Sequence, residues 1–152
     1  MIQIGVIGAG ECTPAISSIA YEVGKLIAQN NGVLVCGGLG GVMEGAARGA
    51  KEAGGLTVGI LPGFDAKESN PHIDITVVTG LSHARNVLVV RSSSALIAID
   101  GGYGTLSEIA IALKLGKPVV GLNTWNIDPA VIQVSTPREA VERALSLIQK
   151  KH

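Results

Sequence analysis

Two glycine-rich segments follow predicted buried strands, and both could hold a phosphate group. The first runs from Gly37 to Gly41 after the apolar segment 33–36, and the second from Gly101 to Gly104 after 95–99. Glycine lets the backbone approach a ligand closely and expose successive N–H groups, and a helix N-terminus behind such a loop favours an anion. The glycines could instead serve only the tight strand-to-helix turns. Because two such loops fall at the same sheet edge, the pattern favours phosphate binding.

Arg85 and Glu108 are the charged residues with the clearest chemical role. Arg85 is predicted about three residues into a helix, where the dipole disfavours a cation. A bound anion would explain it, with Asn86 adding hydrogen bonds; a solvated arginine is the alternative. Thr105 and Glu108 have the T-x-x-E spacing of a capping box. The same carboxylate could instead bind ribose hydroxyls and orient a water, and the residues alone do not decide between these two interpretations.

The sequence argues against a nicotinamide cofactor and against a P-loop ATPase. Gly8 and Gly10 begin a G-x-G-x-x-G pattern, but Thr13 occupies its third glycine position. The second strand ends at Cys36 rather than at an acidic residue for ribose, and the P-loop lysine is missing. Cys12 and Cys36 have no zinc-site spacing. We therefore predict no metal and no cofactor.

Apolar segments that alternate with helical patterns must position these residues. Strands are predicted at 2–7, 33–36, 56–61, 73–78, 95–99 and 118–122, with helices at 14–30, 42–53, 82–92, 105–115 and 137–150. This alternation indicates right-handed crossovers and a parallel sheet, and uniformly apolar strands fit a sheet covered on both faces. We predict one doubly wound, Rossmann-like α/β domain over 1–152, with six or seven strands, helices on both faces and the ligand beyond the carboxyl ends of the strands.

Composition limits the partners. The 152 residues carry 12 basic and 12 acidic side chains, so nucleic-acid binding lacks its usual electrostatic source. A hydrophobic fraction of 47% excludes a disordered chain, and no apolar run approaches the ~20 residues of a membrane helix. With two cysteines and no signal-peptide pattern, we predict a cytoplasmic protein that contacts neither membrane nor nucleic acid.

Two segments resemble the Lonely Guy-type family, also known as lysine decarboxylase-like proteins. Residues 37–47 are similar to its G-G-x-x-G-x-M-x-x-x-A segment, and 101–108 match P-G-G-x-G-T-x-x-E from the first glycine onward. Arg85 stands where the family carries a catalytic arginine. The resemblance implies a Rossmann-like fold, a homodimer or higher homo-oligomer, and cofactor-free hydrolysis of nucleoside 5′-monophosphates to free base and ribose 5-phosphate. A sister branch resembles molybdenum-cofactor carriers, which bind a pterin phosphate and need not catalyse a reaction.

Departures from the hydrolase pattern favour the carrier-like branch. Asp100 replaces the motif's proline, and Ala84-Arg85-Asn86 replaces Glu-Arg-Lys; both changes are expected to lower anion affinity. The first prediction is still a phosphoribohydrolase-like enzyme, with Arg85 and Glu108 catalytic. The alternative is a non-catalytic carrier of a phosphorylated pterin or nucleotide, so whether the chain is an enzyme stays open.

In both cases the partner is a small phosphorylated ligand. The candidate phosphate- or nucleotide-binding residues are Gly8, Gly10, Gly37, Gly38, Gly41, Asn86, Gly101, Gly102, Gly104 and Thr105. Self-association is expected through helix faces rather than sheet edges. The helix around Arg85 is too apolar at 87–90 for full exposure, and small residues allow close helix packing, namely Ala46, Ala47, Ala50, Ala110 and Ala112.

Overall fold

Seven parallel strands form the sheet. The computed structural model describes residues 1–150; positions 151 and 152, the end of the predicted domain, lie outside the described residues. The strands are β1 Gln3–Gly8, β2 Val33–Cys36, β3 Thr57–Leu61, β4 Ile75–Val78, β5 Ala95–Ile99, β6 Val119–Leu122 and β7 Val131–Val134. Their spatial order is β4-β3-β2-β1-β5-β6-β7. From β1 to β4 each new strand is added on one side of the sheet, and from β5 to β7 on the other side. The switch point lies between β1 and β5, where a doubly wound sheet forms its ligand crevice.

Helices cover both faces of the sheet, so the predicted doubly wound, Rossmann-like α/β fold is confirmed. They are α1 Pro14–Gln29, α2 Val42–Glu52, α3 Asn86–Arg91, α4 Tyr103–Lys114 and α5 Pro137–Lys150, with 3-10 helices at Ala66–Glu68 and Ser82–Arg85. Apolar residues of α1, α2 and α5 share one core cluster. Residues of α3 and α4 share the other cluster. None of the helices within residues 1–150 is long and apolar enough to cross a membrane.

The seventh strand, β7, is not among the six strand ranges predicted from the sequence. β7 pairs with β6 in parallel, with Val119 opposite Val131 and Leu122 opposite Val134. It has four residues and lies at the sheet edge, where Gln133 faces solvent. Gln133 interrupts the apolar run, so this segment lacks the uniformly apolar pattern that marks the buried strands. The higher of the two predicted strand numbers is correct.

Close packing of α1 on α2 accounts for the small residues of α2. A Cβ at Gly24 would fall on the carbonyl oxygen of Ala46, and a Cβ at Gly49 would fall on that of Tyr21. The alanines of α2 that were expected at a subunit interface are buried inside the chain, as is the α4 alanine at 112; these are Ala46, Ala47, Ala50 and Ala112. The expectation that they form a self-association surface is therefore wrong, and of that set Ala110 alone is exposed. The oligomeric state itself stays a prediction.

Candidate functional site

A cleft of about 300 Å³ opens at the carboxyl ends of β1, β2 and β5. Most of the predicted site residues line it, namely Gly8, Gly10, Gly37, Arg85, Asn86, Gly102, Gly104, Thr105 and Glu108. They come from four segments of the chain, and the parallel sheet brings them to one edge. The lining also includes residues that sequence reasoning missed, which are Val6, Ile7, Ala9, Leu39, Met43 and His83. Met43 is the methionine of the motif at 37–47. The others carry no motif signal, although their positions near the glycines or Arg85 would have suggested them.

Three predicted glycines do not line the cleft but shape the loops behind it. Gly38, Gly41 and Gly101 have φ angles of 78°, 62° and 111°, which side chains rarely adopt. A Cβ at Gly38 would lie 2.6 Å from a methyl carbon of Leu61, and one at Gly101 would collide with the Thr105 side chain. Their glycine identity therefore follows from backbone conformation and packing.

Arg85 is buried, so the solvated-arginine alternative is wrong. Its residue is 9% exposed. The Nε–H donates to the carbonyl of Ile60 at 2.9 Å, one terminal nitrogen donates to the carbonyl of Gly37 at 3.5 Å, and the other donates to Oδ1 of Asn86. Burial lowers the pKa of Arg85 and the nearby Glu108 carboxylate partly offsets this, while the guanidinium stays charged. A buried cation is thus held at the cleft wall with N–H groups to spare.

Arg85 lies three residues into a helical segment, as predicted. It ends the 3-10 helix Ser82–Arg85, which continues directly into α3. It is placed by its hydrogen bonds to the ends of β2 and β3. Glycine is required at position 37 because a Cβ there would lie 2.6 Å from the Arg85 guanidinium nitrogen.

Asn86 connects Arg85 to the start of α4. Its Oδ1 accepts from Arg85, and its Nδ2 donates to Oγ of Ser107 at 3.2 Å. The Ser107 hydroxyl in turn donates to the carbonyl of Gly104 at 2.6 Å. The side chain therefore orients the arginine and the α4 loop, in addition to lining the cleft.

The capping-box interpretation of Glu108 is wrong. Helix α4 begins at Tyr103 with Gly102 as its N-cap, so Thr105 and Glu108 lie inside the helix. Glu108 is 7% exposed, and within the described chain its carboxylate forms neither a hydrogen bond nor an ion pair. Burial raises its pKa to about 7, although Arg85 acts in the opposite direction. Near neutral pH the side chain is therefore present in both protonation states.

The Thr105 hydroxyl is buried without a partner. The residue is 2% exposed, and among the described residues its Oγ1 is the buried side-chain polar atom that makes no hydrogen bond. Such a group loses its hydration without compensation, which native proteins rarely tolerate without a reason. The Thr105 side chain lies in the first turn of α4, packed against Gly101, where a Cβ would collide with the hydroxyl oxygen. The backbone N–H groups of this first turn have no partner within the helix.

Asp100 does not enter the cleft. It has a φ of 50°, and its carbonyl accepts a hydrogen bond from the Thr124 hydroxyl at 2.6 Å. Its carboxylate acts on Cys12, whose pKa is raised by burial and then by this neighbouring charge. The carboxylate of Asp100 is therefore not among the groups that line the cleft, and its effect on phosphate affinity stays a prediction. Across residues 1–150, no group of three or more His, Cys, Asp or Glu side chains is arranged to hold a metal ion.

Among curated relatives, a protein of Archaeoglobus fulgidus that has no assigned function is 53% identical over 96% of both chains. A cytokinin riboside 5′-monophosphate phosphoribohydrolase of Mycobacterium tuberculosis is 36% identical over 70% of this chain. The match spans 62% of that enzyme's length. The resemblance to Lonely Guy-type proteins is thus confirmed at low identity.

Two solved structures match nearly the whole chain. A molybdenum cofactor binding protein from Rippkaea orientalis has a TM-score of 0.92 and 43% identity, with 97% of both chains covered. The molybdenum cofactor carrier protein of Chlamydomonas reinhardtii has a TM-score of 0.88 and 36% identity, with 99% of both covered. A family model described as the SLOG cluster4 family matches residues 1–150, and the chain therefore belongs to that family.

Proposed function

We propose that the cleft binds a small phosphorylated ligand, and that this ligand is a phosphorylated pterin of the molybdenum-cofactor type. One observation carries the proposal: a buried, charged Arg85 and the unpartnered Thr105 hydroxyl flank the glycine loop at the start of α4. The amides of that loop and the guanidinium supply N–H donors and positive potential, which is what a phosphate requires. The chain would hold the pterin without converting it.

The length of the matches supports a carrier over a hydrolase. The two molybdenum-cofactor proteins match over nearly all of both chains, whereas the mycobacterial phosphoribohydrolase has more than a third of its length outside the match. The buried donors suit the phosphate of such a ligand, and a volume of about 300 Å³ is in the range of small-ligand sites.

One observation favours a phosphoribohydrolase as the second candidate. Glu108 faces the cleft with a pKa of about 7 and no partner within the described chain. Titratable groups perturbed by burial and by a nearby charge cluster at catalytic sites. In that mechanism Arg85 would hold the phosphate, and ionised Glu108 would stabilise the oxocarbenium-like transition state as the N-glycosidic bond breaks. Water would add to the ribose carbon, and the base would leave with a proton.

Binding and base release, measured on the same preparation, test both candidates. Calorimetric titration with hydroxymethylpterin phosphate and AMP gives the affinities, and chromatography of AMP incubations detects free adenine. Tight pterin-phosphate binding without adenine release supports the carrier. Adenine release that is lost in Glu108→Gln supports the hydrolase. Absence of binding by either ligand would reject the proposed site.

A further inference from the structure

Two aromatic rings stack next to the residues that line the cleft, and one of them, Trp125, also packs against the core cluster of α3 and α4. The sequence has four aromatic residues, and Tyr103 and Trp125 form a stacked pair with ring centroids 6.2 Å apart and planes at 25°. Tyr103 is 85% exposed. An exposed tyrosine at the first position of a helix contributes little to folding. Core packing therefore does not explain why the Tyr103 ring is held in a stacked pair.

The pair is fixed to the glycine loop. The indole Nε1–H of Trp125 donates to the carbonyl of Gly102 at 3.0 Å. Gly102 and Gly104, the two neighbours of Tyr103 in the chain, both line the cleft. Trp125 follows β6, which lies on the far side of β5 from β1. The aromatic pair therefore stands at the β6 side of the phosphate loop, next to the amides that would hold a phosphate.

We propose that Tyr103 is an aromatic platform on which the planar ring of the phosphorylated ligand stacks, with Trp125 supporting it from behind. The inference rests on the proposed function and specifies its ligand: a phosphorylated compound that carries a flat heteroaromatic ring, rather than a simple sugar phosphate. The two rings are offset, with centroids 6.2 Å apart, and Tyr103 is 85% exposed, so a face of its ring is free to receive a ligand ring. Ring stacking is tolerant of ring identity and adds affinity without hydrogen-bond readout.

The test compares ring-bearing with ringless ligands. Affinities for AMP, hydroxymethylpterin phosphate and ribose 5-phosphate are measured for the wild type, Tyr103→Ala and Tyr103→Phe. Phe64→Ala is the matched control, because Phe64 is also 85% exposed but neither of its chain neighbours lines the cleft, whereas both neighbours of Tyr103 do. Melting temperatures establish that each variant is folded. Emission of Trp125, the only tryptophan in the sequence, gives a second readout of a ring arriving on Tyr103.

The platform predicts a selective loss. Tyr103→Ala should weaken the ring-bearing ligands roughly tenfold or more, leave ribose 5-phosphate within about twofold, and abolish their effect on Trp125 emission. Tyr103→Phe and Phe64→Ala should bind as the wild type does. An equal loss for all three ligands, or no loss for any, would overturn the platform while phosphate binding still stands. Failure of the wild type to bind any of the three ligands would instead reject the proposed function, and the platform with it.

Discussion

Glu108 and Arg85 line the same cleft and act on each other's pKa, yet no ion pair within 4.0 Å joins them in the described chain. Arg85 is occupied by two backbone carbonyls and by Asn86, so the carboxylate of Glu108 stays unpaired. A buried cation without a bonded counter-ion favours the arrival of an anion, and the protonated form of Glu108 does not oppose it. The relationship therefore prepares the cleft for a phosphate.

Glu108→Gln should remove a pH dependence of stability. Because the folded-state pKa is raised from 4.5 to about 7, the folded protein binds the extra proton between those values. Stability from this group is therefore greatest at low pH and falls as the pH rises to about 7, by on the order of 3 kcal/mol. Glutamine stays neutral, so the variant should equal the wild type near pH 4.5 and exceed it at pH 8.

Urea unfolding at several pH values between 4.5 and 8 measures this difference. Glu22→Gln, which removes an exposed carboxylate on α1, is the control for an unspecific loss of charge. A constant difference between wild type and Glu108→Gln across this range would show that the Glu108 carboxyl group does not titrate as its burial implies.

The sequence predicted the fold well because its signals are local. Buried parallel strands such as Val33–Cys36 are uniformly apolar, and glycines mark their carboxyl ends. The site was predicted less completely, since the roles of Arg85 and Glu108 depend on contacts between distant segments. The N-cap of α4 was misplaced by three residues, because Gly102 rather than Thr105 caps the helix, and threonine and glycine are about equally common as N-caps. Nothing local indicated that Arg85 would reach the carbonyl of Ile60, 25 residues away.

Thr105→Val should separate stability from ligand binding. Valine has nearly the same shape, and it removes a buried hydroxyl that has no partner among the described residues. We expect the free energy of unfolding to stay constant or to rise by up to about 1 kcal/mol, while phosphate affinity falls. Thr105→Ser keeps the hydroxyl and should keep the affinity. Calorimetric phosphate titration and urea unfolding provide the two measurements, and unchanged affinity in Thr105→Val would remove Thr105 from the site.

Arg85→Met should lose both stability and phosphate affinity. The carbonyls of Ile60 and Gly37 would lose their donors inside the protein, which costs roughly 1–3 kcal/mol for each unsatisfied group. The cleft would also lose its buried positive charge. Urea unfolding and phosphate titration measure the two effects. Wild-type phosphate affinity in a folded Arg85→Met protein would contradict the assignment of Arg85 to phosphate binding.

Self-association is expected to involve exposed apolar side chains of β4 rather than the small residues of α2. Ile75, Val77 and Val78 lie exposed on this edge strand, and such side chains gain by being covered. A homodimer or larger homo-oligomer is the expected species at micromolar concentration. Sedimentation equilibrium tests this, and a single species with the 15.5 kDa mass of one chain would contradict it.

Two glycine-to-alanine changes should have opposite consequences, because one glycine serves packing and the other serves the cleft. At Gly49 a Cβ would collide with the carbonyl of Tyr21 on α1, so Gly49→Ala should separate α1 from α2 and destabilise the fold by about 1–3 kcal/mol. That loss must exceed the helix-propensity gain of about 1 kcal/mol from alanine.

At Gly10 the nearest atom to a Cβ is a methyl of Met43 at 4.0 Å, so Gly10→Ala should fold normally. Its methyl would enter the cleft and weaken phosphate binding, because the loop could no longer approach the ligand as closely. Melting temperature and phosphate affinity, measured for both variants, test this. A destabilised Gly10→Ala with normal affinity would place Gly10 in the scaffold rather than in the binding site.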